Sequence, residues 1–507
     1  MTKDTASSTA SNDQPLADRV NNRSRRPATK AFRDFVASGW DRTPMPAQPM
    51  EVAPFARERR EALSQAFPGE RLVIPAGGLK VRSNDTDYQF RAHSAFVHMT
   101  GLEMDSEPDS VLVFEPTETG HDVTFYFRPR AGADTEEFFA DSRYGEFWVG
   151  PREDLESMAA KTGIACDNIA VASDAFTKDL GSISVRVVRG ADTTVDAQID
   201  QARAQVGADS DVSAAGDDEL AQTLSEMRLI KDEFEIGQIR HAVDVTRDGF
   251  DHVVKSLPRA IEHERGERVI ETAFELAART DGNGVGYDTI AASGNHACTL
   301  HWIKNTGQVR DGDLVLVDAG AEVDTLYTAD ITRTLPANGT FTEVQAKIYD
   351  AVLEACEAAF AKAGEHAQHP VKFSEVHDAA MYVIAHKLEE FGLLPVSAEE
   401  ALSPEGQQHR RWMVHGTSHH LGLDVHDCAQ ARAEMYTDAH LEPGMVFTIE
   451  PGLYFKNEDL LIPEEFRGIG VRIEDDILVT EDGVENLSAN FPRTRAEIEE
   501  WIRGARG

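Results

Sequence analysis

The chain is 507 residues long and 41% hydrophobic, with 88 acidic against 50 basic side chains and a formal net charge of −38. That length predicts two or three domains with sizeable cores, and the acidic excess excludes nucleic acid and anionic membrane as partners, because phosphate binding runs on clustered Lys and Arg. With no run of roughly 20 apolar residues, no secretory signal and no CxxC spacing among Cys166, Cys298, Cys356 and Cys428, a cytoplasmic protein without disulfides or zinc knuckles is expected.

Residues 1–52 are rich in Ser, Thr, Asn and Pro and lack a sustained hydrophobic period, so a flexible tail is expected there. Over 53–215 a helix, "FARERREALSQAF", and strands such as "ERLVIPAGG", "SVLVFEP" and "DVTFYFRPR" predict a mixed α/β domain. The acidic, small-residue segment "ARAQVGADSDVSAAGDDE" interrupts the pattern and sets a boundary near residue 215.

From 216 to 507 the order helix, helix, strands occurs twice. A long helical pattern beginning at "DELAQTLSEMRLIKDEFEIG" and the helix "ERVIETAFELAARTDG" precede "YDTIAASG", "DLVLVDAGAEV" and "LYTADITRTL". The helices "TEVQAKIYDAVLEACEAAFAKAG" and "FSEVHDAAMYVIAHKLEEFG" then precede "LGLDVHD", "MVFTIEPGLYF" and "VRIEDDILVT". This repetition predicts a duplicated domain of α/β (α+β) class, one sheet under paired helices, with a site between its two halves.

The segment "HGTSHHLGLDVHD" holds four histidines. His415 and His419 have the spacing of an HExxH zinc helix, but Gly416 replaces its glutamate, so for the cluster alone buried or solvated imidazoles are the commoner reading and a metal site the rarer one. Four carboxylates in apolar strands, Asp318, Asp330, Glu450 and Glu474, add the decisive pattern. Each would cost several kcal/mol to bury unless paired or bound to a metal, and no comparable set of buried cations accompanies them. A hairpin turning near Asp324 sets Asp318 opposite Asp330, and a second around "NEDLLIPEEFRG" joins the segments of Glu450 and Glu474. One imidazole with four carboxylates makes a two-metal site, ions about 3.5 to 4 Å apart, and oxygen-rich ligation suits Mn²⁺ or Mg²⁺. In a continuous strand His419 and His426 would face opposite sides, so a break is expected at Gly422.

The ordered series "HACTLHW", "VDAG", "TADITRT", "MVHGTSHHLGLDVHD", "LEPGMVFTIEPGLYF" and "GVRIEDD" resembles aminopeptidase P, the Xaa-Pro aminopeptidase branch of the pita-bread metallopeptidases, and residues 59–102 resemble that family's N-terminal domain. The resemblance implies Asp318, Asp330, His419, Glu450 and Glu474 as metal ligands, with Asp330 and Glu474 bridging. It places His301, His415 and His426 against substrate or transition state, and Arg472, Tyr454 and Tyr287 in the surrounding hydrogen-bond network. The implied reaction is hydrolysis of the N-terminal Xaa-Pro bond by a metal-bridging hydroxide, with Glu450 shuttling a proton to the leaving nitrogen and His426 bonding the oxyanion. The implied cofactors are two divalent ions, Mn²⁺ first, with Mg²⁺, Co²⁺ or Zn²⁺ as alternatives. The implied partners are a peptide with proline second and further copies of the chain, as dimer or tetramer. A prolidase, limited to dipeptides, and a non-catalytic peptide-binding module are the competing readings. His420 departs from the family, where a large aromatic is common, and "VSAEEALSPEGQQHRR" reads as a loop insertion.

Overall fold

The computed structural model describes residues 29–43 and 47–505; residues 1–28 and 44–46 of the expected tail lie outside the described residues. Within the tail, Thr29 caps a short helix α1 (Lys30–Val36), and Phe32 and Trp40 meet Phe139, Phe138 and Phe147 edge to face. Rings at uneven spacing hold this segment, so the sequence shows no helical period there.

The chain divides into two compact units between Leu220 and Ala221. In the first, helix α2 (Ala53–Ala66) precedes a five-stranded sheet of β1 (Arg71–Pro75), β2 (Val111–Pro116), β3 (His121–Phe127), β4 (Ala165–Asn168) and β5 (Val185–Val187). Its order is β4-β3-β2-β1-β5. Val73, Val113 and Val187 pack with Phe176 and Ile199 in its core.

The segment expected to interrupt this unit is helical instead, forming α3 (Thr193–Val206) and α4 (Ser210–Glu226). Its alanines favour helix, and Asp192 and Asp209 accept from backbone amides at the two starts. Asp217, in the segment expected only to mark a boundary, is buried and accepts from Arg189, Arg203 and the amide of Val187.

In the second unit α5 (Glu233–Glu262) packs with α6 (Gly266–Asp281), and α7 (Glu343–Gly364) with α8 (Phe373–Glu390). The long helix expected from residue 218 breaks before α5. Ile230 bridges to Met445, and Asp232 with Glu235 forms a capping box that starts a new helix. The first helix pair leads into β6 (Ile290–Ser293), β7 (Leu314–Ala319) and β8 (Ile331–Pro336), with β7 antiparallel to both neighbours. The second leads into β9 (Val446–Ile449), β10 (Gly452–Phe455), β11 (Ile469–Arg472) and β12 (Asp475–Thr480). A bridge between Thr332 and Glu474 joins the two sets, as the duplicated pattern requires.

The register differs from expectation at the first hairpin. Asp318 pairs with Thr332, which sets Asp330 opposite Gly320. The turn centres on Thr325, closed by Leu326 N to Val323 O and Val323 N to Tyr327 O, one residue beyond the expected centre. A one-residue move of the turn shifts the partner by two, so both carboxylates stay on one face. The second hairpin keeps one register through β9–β12 and β10–β11, which sets Glu450 opposite Glu474.

A Cβ on Gly320 would lie 1.6 Å from Ala329 O, so only glycine fits this crossing. Gly320→Ala is therefore expected to cost about 3 kcal/mol by overpacking, read from the urea midpoint; an unchanged midpoint would contradict the register.

Candidate metal centre

β7 delivers Asp318 and the residue before β8 is Asp330; both carboxylates are buried and accept from the Tyr287 hydroxyl. Thr332 Oγ1, two residues along the same face, donates to Glu474 Oε2 at 2.7 Å. Arg472, at the end of β11, donates to Asp318 Oδ2 and to Tyr454 OH. His415 Nδ1–H bonds Gly416 O, which leaves Nε2 to accept from Tyr454 OH at 2.7 Å. A hydrogen-bonded chain thus runs from His415 through Tyr454 and Arg472 to Asp318.

His419 Nδ1 faces His420 O at 3.2 Å, and this bond turns Nε2 toward the carboxylates. That nitrogen lies 3.3 Å from Asp330, 3.7 Å from Glu450 and 3.9 Å from Glu474. One ligand atom each from Asp330, His419 and Glu474 falls within 4.8 Å of the others.

The segment 415–427 is not a strand. Asp427 N bonds back to His420 O, and Gly422 N to Asp424 O, so the break expected at Gly422 extends over the whole turn. This brings the His426 ring to 4.5 Å from that of His419 on one wall. A Cβ on Gly422 would lie 2.3 Å from Asp427 Oδ2, so glycine is needed there for packing. His420 points away, fully buried and stacked on Phe373 at 4.9 Å.

These groups face a cavity of about 570 Å³, lined also by Leu300, His301, Ile303 and Val425. Every site residue expected from the sequence lines it except Tyr454, which joins through His415 and Arg472. Sequence reading missed Thr332, whose position two residues from Asp330 on a strand signals the same face. It also missed Asp427, held by Arg228 and Lys231 at 2.9 and 3.0 Å, because those cations lie nearly 200 positions away.

Burial and the neighbouring carboxylates push Asp330 and Glu474 above the usual acid range. Burial raises Glu450 to about 7, against the charges of His419 and Arg472. For His419 burial acts downward, but the bond to Asp330 and the charge of Glu450 prevail and raise it to about 9. Burial and the Arg472 charge lower His415 to about 3. The centre draws in positive charge: among the described residues, Arg472 is the one Arg or Lys paired with the four carboxylates. An oxygen-dominated donor set with one imidazole fits hard divalent cations.

Residues 237–481 match metallopeptidase family M24, and residues 56–187 match the aminopeptidase P N-terminal domain. Xaa-Pro aminopeptidase 1 of Streptomyces coelicolor is 50% identical, over 93% of this chain and 92% of that protein. Xaa-Pro aminopeptidase of Escherichia coli is 34% identical, over 89% and 98%. A variant of Escherichia coli aminopeptidase P in complex with substrate superposes at a TM-score of 0.76 and 30% identity, covering 91% of this chain and 100% of that one. Fold and site together define a hydrolase of the metallopeptidase class. The chain belongs to metallopeptidase family M24, in its aminopeptidase P branch.

A cation held by these side chains would displace the proton on His419 and, at and below neutrality, a proton on Glu450, together with any held by Asp330 and Glu474, which burial also raises. With pKa values raised to about 9 and about 7, those protons are present below these limits and absent above them. Calorimetric Mn²⁺ titration should show affinity falling by at least about tenfold per pH unit from 9 to 7 and more steeply below, with protons released. Affinity constant from pH 6 to 8 would contradict this.

Proposed function

We propose that this chain is an Xaa-Pro aminopeptidase, a metallo-exopeptidase that releases the first residue from peptides with proline second. The observation that carries this reading is the convergence of Asp318, Asp330, His419, Glu450 and Glu474 with three further histidines in one cavity, in a chain similar over nearly its whole length to Xaa-Pro aminopeptidases. We assign these five as ligands of two divalent ions, Asp330 and Glu474 bridging, with Mn²⁺ the first candidate and Mg²⁺, Co²⁺ or Zn²⁺ as alternatives. Bound there, such a pair supplies a water acidic enough to act as nucleophile at neutral pH and polarises the scissile carbonyl.

The chain's own groups do the rest. Glu450 moves a proton from the attacking water to the prolyl nitrogen as the bond breaks. His426, on the wall beside His419, donates to the developing oxyanion. Tyr454, held by Arg472, donates to His415 Nε2 and fixes that ring's orientation toward substrate. Tyr287 bonds both aspartates and holds them at one spacing. An Xaa-Pro bond offers no amide N–H, so recognition falls to shape, and Leu300, His301, Ile303 and Val425 present a partly apolar wall to the pyrrolidine ring.

We further assign residues 53–215 to an N-terminal aminopeptidase P-like domain and 216–507 to the catalytic domain, and place the enzyme in the cytoplasm as a homo-oligomer. Four cysteines without a disulfide accord with a reducing compartment. No helix among the described residues is long and apolar enough to cross a membrane.

With Mn²⁺ present, the enzyme should release the first residue from an Xaa-Pro-Yaa tripeptide, and Asp330→Ala should lower kcat/KM by about 10³-fold or more. Cleavage confined to the Xaa-Pro dipeptide would move the assignment to prolidase; cleavage of neither would overturn it.

A further inference from the structure

Glu267, the second residue of α6, is fully buried and takes no part in the chemistry described above. Its carboxylate is nonetheless saturated with donors. Oε1 accepts from Ser293 N at 2.9 Å and His296 Nδ1 at 2.7 Å; Oε2 accepts from Trp302 Nε1 at 2.8 Å and Gly307 N at 2.5 Å. Among the described residues no Lys or Arg forms an ion pair with it, so these four donors and the first turn of the helix carry the cost of burying a charge. All four donors belong to a single excursion of the chain, from the end of β6 at Ser293 to Gly307.

That excursion is closed tightly at its base. Glu267 N donates to Gly307 O at 3.1 Å, so side chain and backbone grip the same residue. A Cβ on Gly307 would lie 2.7 Å from both Glu267 Cδ and His296 Nδ1, so the approach requires glycine. Asn305, in a left-handed conformation with φ of 46°, accepts from Ala291 N and donates to Thr289 O. The His296 ring stacks on Trp302 at 3.9 Å. Between these anchors the loop carries Leu300, His301 and Ile303 to the cavity wall.

We infer that Glu267 is a positioning residue for peptide hydrolysis, a buried carboxylate clasp that fixes the 293–307 loop and so sets where His301 and its apolar neighbours meet the substrate. The inference rests on the aminopeptidase reading for its kinetic consequence but not for the clasp itself. Displacement of a substrate-facing group by about 1 Å can cost on the order of 10²-fold. Gln at this position keeps the volume but puts an amide NH₂ against two of the four donors, which breaks the clasp without emptying the site.

The test is a double-mutant cycle on metal-loaded enzyme with an Xaa-Pro-Yaa tripeptide, joined to amide hydrogen exchange. Glu267→Gln should lower kcat/KM by about 10- to 100-fold, and added to His301→Ala should cost clearly less than it does alone, because part of its effect runs through His301. Trp302→Phe removes one donor and keeps the ring, so it should lower kcat/KM by about 3- to 10-fold with the fold intact. In both variants the amides of 293–307 should exchange faster than in the wild type, while those of β7 keep their protection. Losses that multiply with His301→Ala, or unchanged kinetics in both variants with only a lower Tm, would overturn the positioning role. If the wild-type enzyme cleaves no Xaa-Pro peptide, the aminopeptidase reading fails and the exchange data judge the clasp alone; unchanged protection of the loop overturns it.

Discussion

Four carboxylates, Asp318, Asp330, Glu450 and Glu474, share one buried pocket, and their mutual repulsion is the constraint to which the second unit is built. Left to themselves such groups separate or take up protons. The strand ladders forbid separation: Asp318 and Asp330 share a face of one hairpin, Glu450 and Glu474 lie opposite each other on another, and the Thr332–Glu474 bridge fixes the hairpins together. Arg333, fully buried behind them, ties the crossing by bonding Asp475 and the carbonyls of Thr332 and Glu474. The scaffold thereby holds together a cluster of carboxylates suited to divalent cations.

Function follows from what surrounds that charge. One guanidinium, Arg472, touches Asp318 and continues through Tyr454 to His415, so the geometry of an aspartate is coupled to that of an imidazole lining the cavity. Much of the cavity wall comes from two loops pinned by buried ions of their own, Asp427 to Arg228 and Lys231 for the histidine segment and Glu267 for the His301 loop. Cutting the Glu267 anchor would displace the 293–307 part of the cavity wall and leave the four carboxylates in place, whereas cutting Asp427 would also shift His419, which the same segment carries.

Much of this was legible in the sequence, for identifiable reasons. A carboxylate inside an apolar strand, as in "LVLVDAG" or "VFTIEPG", cannot be ignored energetically, so Asp318 and Glu450 announce themselves. Register was less legible, because the true turn at Thr325 and the expected one at Asp324 differ by a single residue with no Gly or Pro to mark it. The folded-back course of 421–427 could be inferred in part, from the parity of His419 and His426, but its extent depends on Lys231 and Asp427 meeting beneath Gly422. Glu267 was not legible: an acid in the first turn of a helix is the ordinary preference of any exposed helix, and only packing distinguishes this one.

The central claim is that five side chains hold two ions. Metal analysis of the purified protein after Mn²⁺ loading and removal of excess ion tests it most directly. The account predicts two ions per chain and a loss of at least one in Glu474→Gln, since that residue is assigned to bridge both. A wild-type protein that retains no divalent ion, or a Glu474→Gln variant that still holds two, would contradict it.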